Sequence, residues 1–360
     1  MARKLVYDRG LFAAVMVLTG LGLVMVYSSS TVLVREGDSA NPFLVRQGIA
    51  ALLGLLAMAV AMHFDYRWLR RRLVIYPIVV VALGLLAVAL FSPEHNNVNR
   101  WISVAGFSLQ PSEIAKLALI PYIAYQIDRK ADRSDSAALL VPCAGLTSVM
   151  AVMIYLGRDL GTAILLIVPP LAMIFLAGTS LRQLVMGGAL VAPLLTLAVI
   201  REPYRLERVF EFLSPGREPL DTGFQTAQSL IAVGSGGLFG LGPGNSVQKL
   251  YFLPSPHADF IFSIAAEELG FLGALTIVAL FGVVAWRGLR AAWKAPETFG
   301  CYLALGFTVL IVAQALIHVS VTLSLLPATG VPLPLVSHGG SSLVTTLAAC
   351  GLVLNVSQHG

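Results

Sequence analysis

The sequence predicts an all-α polytopic membrane protein: ten transmembrane helices, with one large extracytoplasmic loop between the seventh and eighth. Three observations carry this. Of 360 residues, 57% are hydrophobic and only 12% charged, where ordinary soluble domains carry about 25% charged residues. A soluble fold so poor in charge could not cover its own surface. Apolar runs of near-membrane length recur along the chain, and about 20 apolar residues span a bilayer. Basic residues gather in alternate connections between those runs, which is how membrane topology is set.

The apolar segments lie at roughly 10–28, 45–63, 73–91, 112–127, 138–156, 162–178, 183–200, 260–286, 300–325 and 340–357. Without water, every backbone polar group needs an internal partner, so these segments are expected to be helices. The fourth and sixth are short. The first has an apolar part too long for a signal peptide and no clear small-residue cleavage site, so it reads as a retained span.

Placing Arg3, Lys4 and Arg9 in the cytoplasm puts Arg67, Arg70, Arg71, Arg72, Arg129, Lys130, Arg133, Arg182, Arg287, Arg290 and Lys294 there too. The short loops opposite carry only Arg35, Arg46, Arg100 and Arg158. This is the positive-inside pattern, with both termini cytoplasmic. The whole chain, 1–360, reads as a single integral membrane domain. The net charge of +5 therefore sets topology and gives no reason to expect nucleic acid. Cys143, Cys301 and Cys350 are widely spaced within apolar runs, which indicates neither a disulfide framework nor a zinc site.

The loop at about 201–259 breaks the pattern. It lies on the outer side yet carries Arg201, Arg205, Arg208, Arg217 and Lys249. Long loops are weakly bound by the charge rule, so the topology stands. The loop is either a solvated surface or a site for an anionic group at the membrane.

Ionisable groups within spans are costly and usually functional. Glu113 and Lys116, three apart, share a helix face at the start of the fourth span. They form either an internal ion pair or one wall of a polar cavity. Arg100 and Trp101 suit the membrane interface. Asp159 enters the sixth span, where it either caps the helix or holds a basic partner such as Lys116. The glycine-rich run from Gly234 to Gly244 lacks the context of a nucleotide-binding loop, and a hinge or tight re-entrant turn fits it at least as well. His257 and Asp259 then open the eighth span, which puts a carboxylate at the outer boundary. Glu267 and Glu268 lie roughly 12–14 Å deeper along the helix and read as an internal polar contact. The proline-rich stretch from Leu325 to Ser342 reads as a rigid loop packed beneath the outer one.

Six motifs occur in order: Gln110 to Lys116 (QPSEIAK), Asp159 to Thr162 (DLGT), Tyr204 with Arg205 and Arg208, the Gln225–Gln228–Ser229 stretch leading into the glycine run, LPSPHADFIFSIAAEELG, and LLPATGVPLPLVSHGGSS. Together they resemble the SEDS family (shape, elongation, division and sporulation) of peptidoglycan polymerases over essentially the whole chain. Asn245, Ser246, Gln248 and Lys249 resemble its division branch more than its elongation branch. The chain departs from the family pattern at Ser255, Ala258, His318 and His338.

The resemblance implies a glycosyltransferase that polymerises lipid II, a disaccharide-pentapeptide on undecaprenyl pyrophosphate, at the outer face of the bacterial cytoplasmic membrane. Septal synthesis in cell division is the expected setting. Partners implied are lipid II, the nascent glycan, a class B penicillin-binding protein and division regulatory membrane proteins. Asp259 is the expected catalytic base. Arg205, Arg208, Lys116, Lys249, Gln228, Ser229, His257 and Ser341 are expected to bind substrate, with Glu113, Asp159, Glu268 and Arg100 in support. No cofactor is evident. A divalent cation, magnesium or manganese, is compatible with a pyrophosphate leaving group, but no ligand cluster demands one. Two other readings fit a polar groove among many spans: a lipid II flippase, or a scaffold for the penicillin-binding protein.

Overall fold

The computed structural model describes residues 7–31, 42–92, 100–104, 107–130, 136–183, 185–187, 206, 208, 212, 222–250, 253 and 255–360. These residues form a helical bundle. In chain order the helices are α1 (Arg9–Ser30), α2 (Pro42–His63), α3 (Arg72–Leu90), α4 (Pro111–Lys130), α5 (Ser136–Leu156), α6 (Leu160–Leu176), α7 (Thr222–Ser235), α8 (Ile261–Lys294), α9 (Thr298–Thr322) and α10 (Gly340–His359). Among the described residues, seven helices are long and apolar enough to cross a membrane. They are α1, α2, α3, α5, α8, α9 and α10, so the protein is a multi-pass helical membrane protein. By contrast, α4 carries too many charges and α6 is too short to join that set. Most of the expected seventh span, 183–200, lies outside the described residues.

The bundle packs as a membrane protein should. Leu52, Leu56, Leu73, Val80 and Trp293 point outward, where lipid is the solvent. The interior buries polar side chains: Gln47, Glu113, Lys116, Gln126, Gln314, His318 and Asn355 are each almost fully covered. Without water they bond to one another or to backbone. Asn355 in α10, for example, donates to the carbonyls of Met62 and Phe64 just past α2, at 2.7 and 2.9 Å.

Two features were not anticipated from the sequence. Ile102–Val104 and Phe107–Leu109 pair as a small antiparallel hairpin directly before α4. In addition, the single apolar run read as the eighth span is a broken helix. At Gly270 the backbone has φ 71° and ψ −172°, a region essentially reserved for glycine. The glycine run closes on this break. Phe271 N donates to Gly237 O at 2.8 Å and Leu272 N to Leu238 O at 3.3 Å. In return Leu241 N and Gly242 N donate to Glu267 O and Glu268 O, both at 3.0 Å. A Cβ on Gly270 would stand 2.3 Å from Gly240 N. The run is therefore a tight turn clasped to a helix, in line with the hinge-or-turn reading.

Candidate active site

Asp259 sits two residues before the first turn of α8, with its amide donating to Ser255 O at 3.2 Å. The proline-rich segment between α9 and α10 packs directly against it. Ser337 Oγ donates to Ala258 O at 2.7 Å, and His338 N donates to His257 O at 2.9 Å. Gly330 lies beside the carboxylate, so that a Cβ there would be 4.0 Å from Asp259 Oδ2.

Side chains of α2 and α9, together with Arg208, bond the backbone of that segment, and α6 packs closely against it. From α2, Gln47 donates to Ser337 O at 3.1 Å and accepts from Gly339 N at 3.3 Å. From α9, Gln314 donates to Pro332 O at 2.9 Å, while one turn on His318 Nδ1 donates to Val331 O at 2.9 Å. Arg208 Nη1 donates to Ala328 O at 2.7 Å. From α6, Gly161 lets Thr329 approach so closely that a Cβ would stand 2.5 Å from its carbonyl oxygen.

Asp159 caps α6, accepting from Thr162 N at 3.0 Å. Its other oxygen accepts from Gln110 Nε2 at 3.1 Å and lies 3.6 Å from Arg100 Nη1. Its basic partner is thus Arg100 and not Lys116. Arg100 Nε is buried without a partner in the protein. Arg100, Asp159, Pro111 and Ser112 line a small cleft whose remaining wall is apolar, with Leu86, Leu90 and Met153 among its residues.

These charges act on Asp259. Burial raises its pKa above the ordinary carboxylate value, the Arg100 and Arg208 guanidinium groups pull it back down, and Asp159 pushes it up. Desolvation outweighs the two guanidinium groups, and the net shift is upward. Beside it, His257 and His338 stack edge-on, with centroids 5.4 Å apart, and both rings contact Phe43. Burial lowers both histidines, and His338 falls to about 4. A pair of neutral imidazoles with unbonded Nδ1 atoms therefore flanks Asp259.

The expected substrate ligands divide. Arg208 and His257 lie with Asp259. Lys116 does not: its ammonium is buried among α4, α9 and α10, 2.8 Å from Glu113 Oε1 and 3.1 Å from Gln314 Oε1. Glu113's other oxygen accepts from Thr345 at 2.9 Å. Lys249 is likewise enclosed, 2.9 Å from Glu268 Oε1, 3.2 Å from Ser28 Oγ and 2.6 Å from Gly244 O. Three acceptors thus surround the Lys249 ammonium and two the Lys116 ammonium, and each pair joins separate elements of the bundle. Ser229 bridges helices, bonding Ser263 Oγ at 2.6 Å and Thr322 O at 2.8 Å. Gln228 is half-buried on α7, and Ser341 presents a buried, unbonded hydroxyl at the start of α10. Arg205 lies outside the described residues. Among the described residues, no three histidine, cysteine or carboxylate side chains converge as metal ligands.

Residues 9–360 match the sequence profile of the cell cycle protein family that groups FtsW, RodA and SpoVE. The chain belongs to this family. It is 41% identical over 359 residues to a probable peptidoglycan glycosyltransferase FtsW of Geobacter sulfurreducens, covering 98% of this chain and 95% of the relative. It is 39% identical to the stage V sporulation protein E of Bacillus subtilis, covering 96% and 95%. Among solved structures, a chain described under the structural coordination of polymerization and crosslinking by a peptidoglycan synthase complex superposes with TM-score 0.79 at 31% identity. The crystal structure of Thermus thermophilus rod shape determining protein RodA gives 0.72 at 30%. Each match covers 98% of this chain and 97% of the other.

The sequence reading missed Gln47 and Gln314, and it named Gln110 only as part of a motif; all three hold the site's walls. Their only signal is a glutamine inside or at the edge of an apolar span, where an amide must find a buried partner.

Proposed function

We propose that this protein is a peptidoglycan glycosyltransferase that polymerises lipid II into glycan strands, in septal wall synthesis during cell division. Its near full-length identity to relatives named for that activity supports the reaction class. The site rests on one observation: a partly exposed carboxylate, Asp259, is held at the head of α8 with its pKa raised and two arginines within electrostatic reach.

A useful general base has a pKa lifted toward working pH and reach to the acceptor proton. In this reading Asp259 takes the proton of the acceptor sugar's 4-hydroxyl. That oxygen attacks the anomeric carbon of the growing chain, and the bond from that carbon to the pyrophosphate oxygen breaks. The α-linked donor becomes a β-linked glycan, and undecaprenyl pyrophosphate leaves. Arg100 and Arg208, with Arg205 three residues before Arg208 in sequence, supply the charge that a pyrophosphate needs. Lys116 and Lys249 act at a distance, by holding the helices that carry the site. A divalent cation would depend on the substrate's own oxygens, since Asp159 and Asp259 are two carboxylates without a third ligand; no step is assigned to it.

The topology that goes with this function has ten spans, both termini in the cytoplasm, and Asp259 at the outer membrane face. The partners are a class B penicillin-binding protein, which would cross-link the strands, and division regulators at the septum.

Purified protein, with and without that partner, should convert lipid II to polymer. Asp259→Ala should lower the rate by about 10²–10⁴-fold, the usual worth of a general base, while the protein elutes as a folded species. Unimpaired polymerisation by that variant would sink the assignment. Labelled lipid II crossing vesicle membranes without polymer would favour a flippase.

A further inference from the structure

The longest connection in the sequence reads as an extracytoplasmic loop. The part of it clasped to α8 has the structure of something else.

Two contacts between α1 and α8 set a ruler. At one end Asp8, the cap of α1, pairs with Arg287 at 3.3 Å. At the other, Ser28 donates to Glu268, which also holds Lys249. The helices are therefore antiparallel. The contacts are 20 residues apart on α1 and 19 on α8; between them the only charged side chain is Arg9, next to Asp8 at the Arg287 end. At 1.5 Å per residue this is about 28–30 Å, the thickness of a bilayer's hydrocarbon core. Glu268 therefore marks one hydrocarbon boundary.

The glycine clasp binds its loop at this level and below it. Gly237 and Leu238 pair with Phe271 and Leu272, which lie on the hydrocarbon side of Glu268. There the loop is apolar and uncovered: Leu238 is 64% and Phe239 80% exposed, and Leu241, Val247 and Leu250 are also exposed. Their surface continues that of Phe271, Leu272 and Leu275 on α8, which are exposed as well. The loop also carries bonds of its own. Besides the four bonds to α8, Gly240 N donates to Gly236 O, Asn245 N to Gly242 O, and Asn245 Nδ2 to Leu241 O. Its one ionisable side chain, Lys249, is buried and paired. Backbone bonds made within the protein, apolar exposure and neutralised charge are what a non-helical segment needs at membrane depth.

We propose that residues 236–250 form a re-entrant element in the leaflet on the Asp259 side, with Leu238, Phe239 and Leu241 against lipid acyl chains. The element ends nine residues before Asp259 in the sequence. This stands on packing alone and does not depend on the proposed reaction.

The test uses the unmodified full chain in vesicles of phosphatidylethanolamine and phosphatidylglycerol. One sample carries a phospholipid with a photoactivable diazirine on its acyl chain; the other receives a water-soluble diazirine. Peptides are then mapped by mass spectrometry. The acyl reagent should label 238–250 at least as heavily as 271–278, and the water-soluble reagent should leave both unlabelled. Labelling of 238–250 by the water-soluble reagent would overturn the proposal by showing an aqueous loop. Labelling by neither reagent, with 271–278 still lipid-labelled, would overturn it by showing that protein covers the loop.

Discussion

Arg100 Nη1 stands 3.6 Å from Asp159 Oδ2, and the two charges pull Asp259 in opposite directions. The pH dependence of polymerisation follows. A base works only when ionised, so a raised pKa moves the acid limb of the rate profile above the ordinary carboxylate range. Removing a positive neighbour raises the limb further, and removing a negative one lowers it. Arg100→Gln should therefore shift the limb to higher pH and Asp159→Asn to lower pH. Asparagine can still cap α6, so the second variant keeps its fold. Initial rates against pH at saturating lipid II would decide; shifts in the same direction for both variants would exclude this electrostatic account.

Gly270 and Gly240 interlock at the break in α8. Alanine at Gly270 would meet Gly240 N at 2.3 Å and hold φ at 71°. The backbone strain alone costs on the order of 1–3 kcal/mol, and the clash adds to it. Gly270→Ala should lower the unfolding temperature in detergent clearly. Gly234→Ala, in the same glycine-rich stretch but inside α7 with open space around it, should be neutral or stabilise by about 0.5–1 kcal/mol. Thermal denaturation of the two side by side tests whether the glycines serve packing at the break.

Lys116 and Glu113 form a buried pair, and such pairs are asymmetric under mutation. Lys116→Met alone leaves an uncompensated buried carboxylate, which costs about 3–5 kcal/mol. Adding Glu113→Gln removes that charge, so the double variant should recover most of the lost stability. A substrate-binding lysine would behave differently: stability would change little, and no second substitution in α4 would restore activity. Yield, unfolding temperature and polymerisation rate of the three forms separate the two roles.

The class of fold was legible because a bilayer imposes apolar runs of fixed length and leaves basic residues to mark the connections. The break in α8 was not: a lone glycine in EELGFLG interrupts neither hydrophobicity nor length, and only its partner across the clasp explains it. The hairpin did leave a trace, since ISV and FSL alternate apolar and polar about a two-residue Ala105–Gly106 connection. Within the site, Asp259, Asp159, Arg100 and Arg208 were readable as charges at the outer ends of spans. Charge complementarity could not tell an available cation from one locked in an ion pair, so Lys116 and Lys249 were grouped with Arg208. Gln47 and Gln314 are not legible as wall residues because each bonds the backbone of the segment between α9 and α10, a contact that only the fold creates.

Gln314 joins the buried pair to the site wall. Its amide oxygen accepts from Lys116 Nζ at 3.1 Å, and its amide nitrogen donates to Pro332 O at 2.9 Å. Pro332 is two residues from Gly330, which faces the Asp259 carboxylate. Gln314→Glu keeps the acceptor for Lys116 but loses the donor to Pro332. An unsatisfied buried carbonyl costs about 1–3 kcal/mol, and here that cost falls on the segment that positions Asp259. We expect kcat to fall about tenfold, equivalent to roughly 1.4 kcal/mol of barrier, with KM for lipid II little changed. The acid limb should also move to higher pH as a negative charge is added nearby. Gln314→Leu, which loses both bonds without adding charge, should lower kcat at least as far and leave the limb nearer its original place. A fall in folded yield, with kcat per folded molecule and the pH profile intact, would reduce Gln314 to a packing residue.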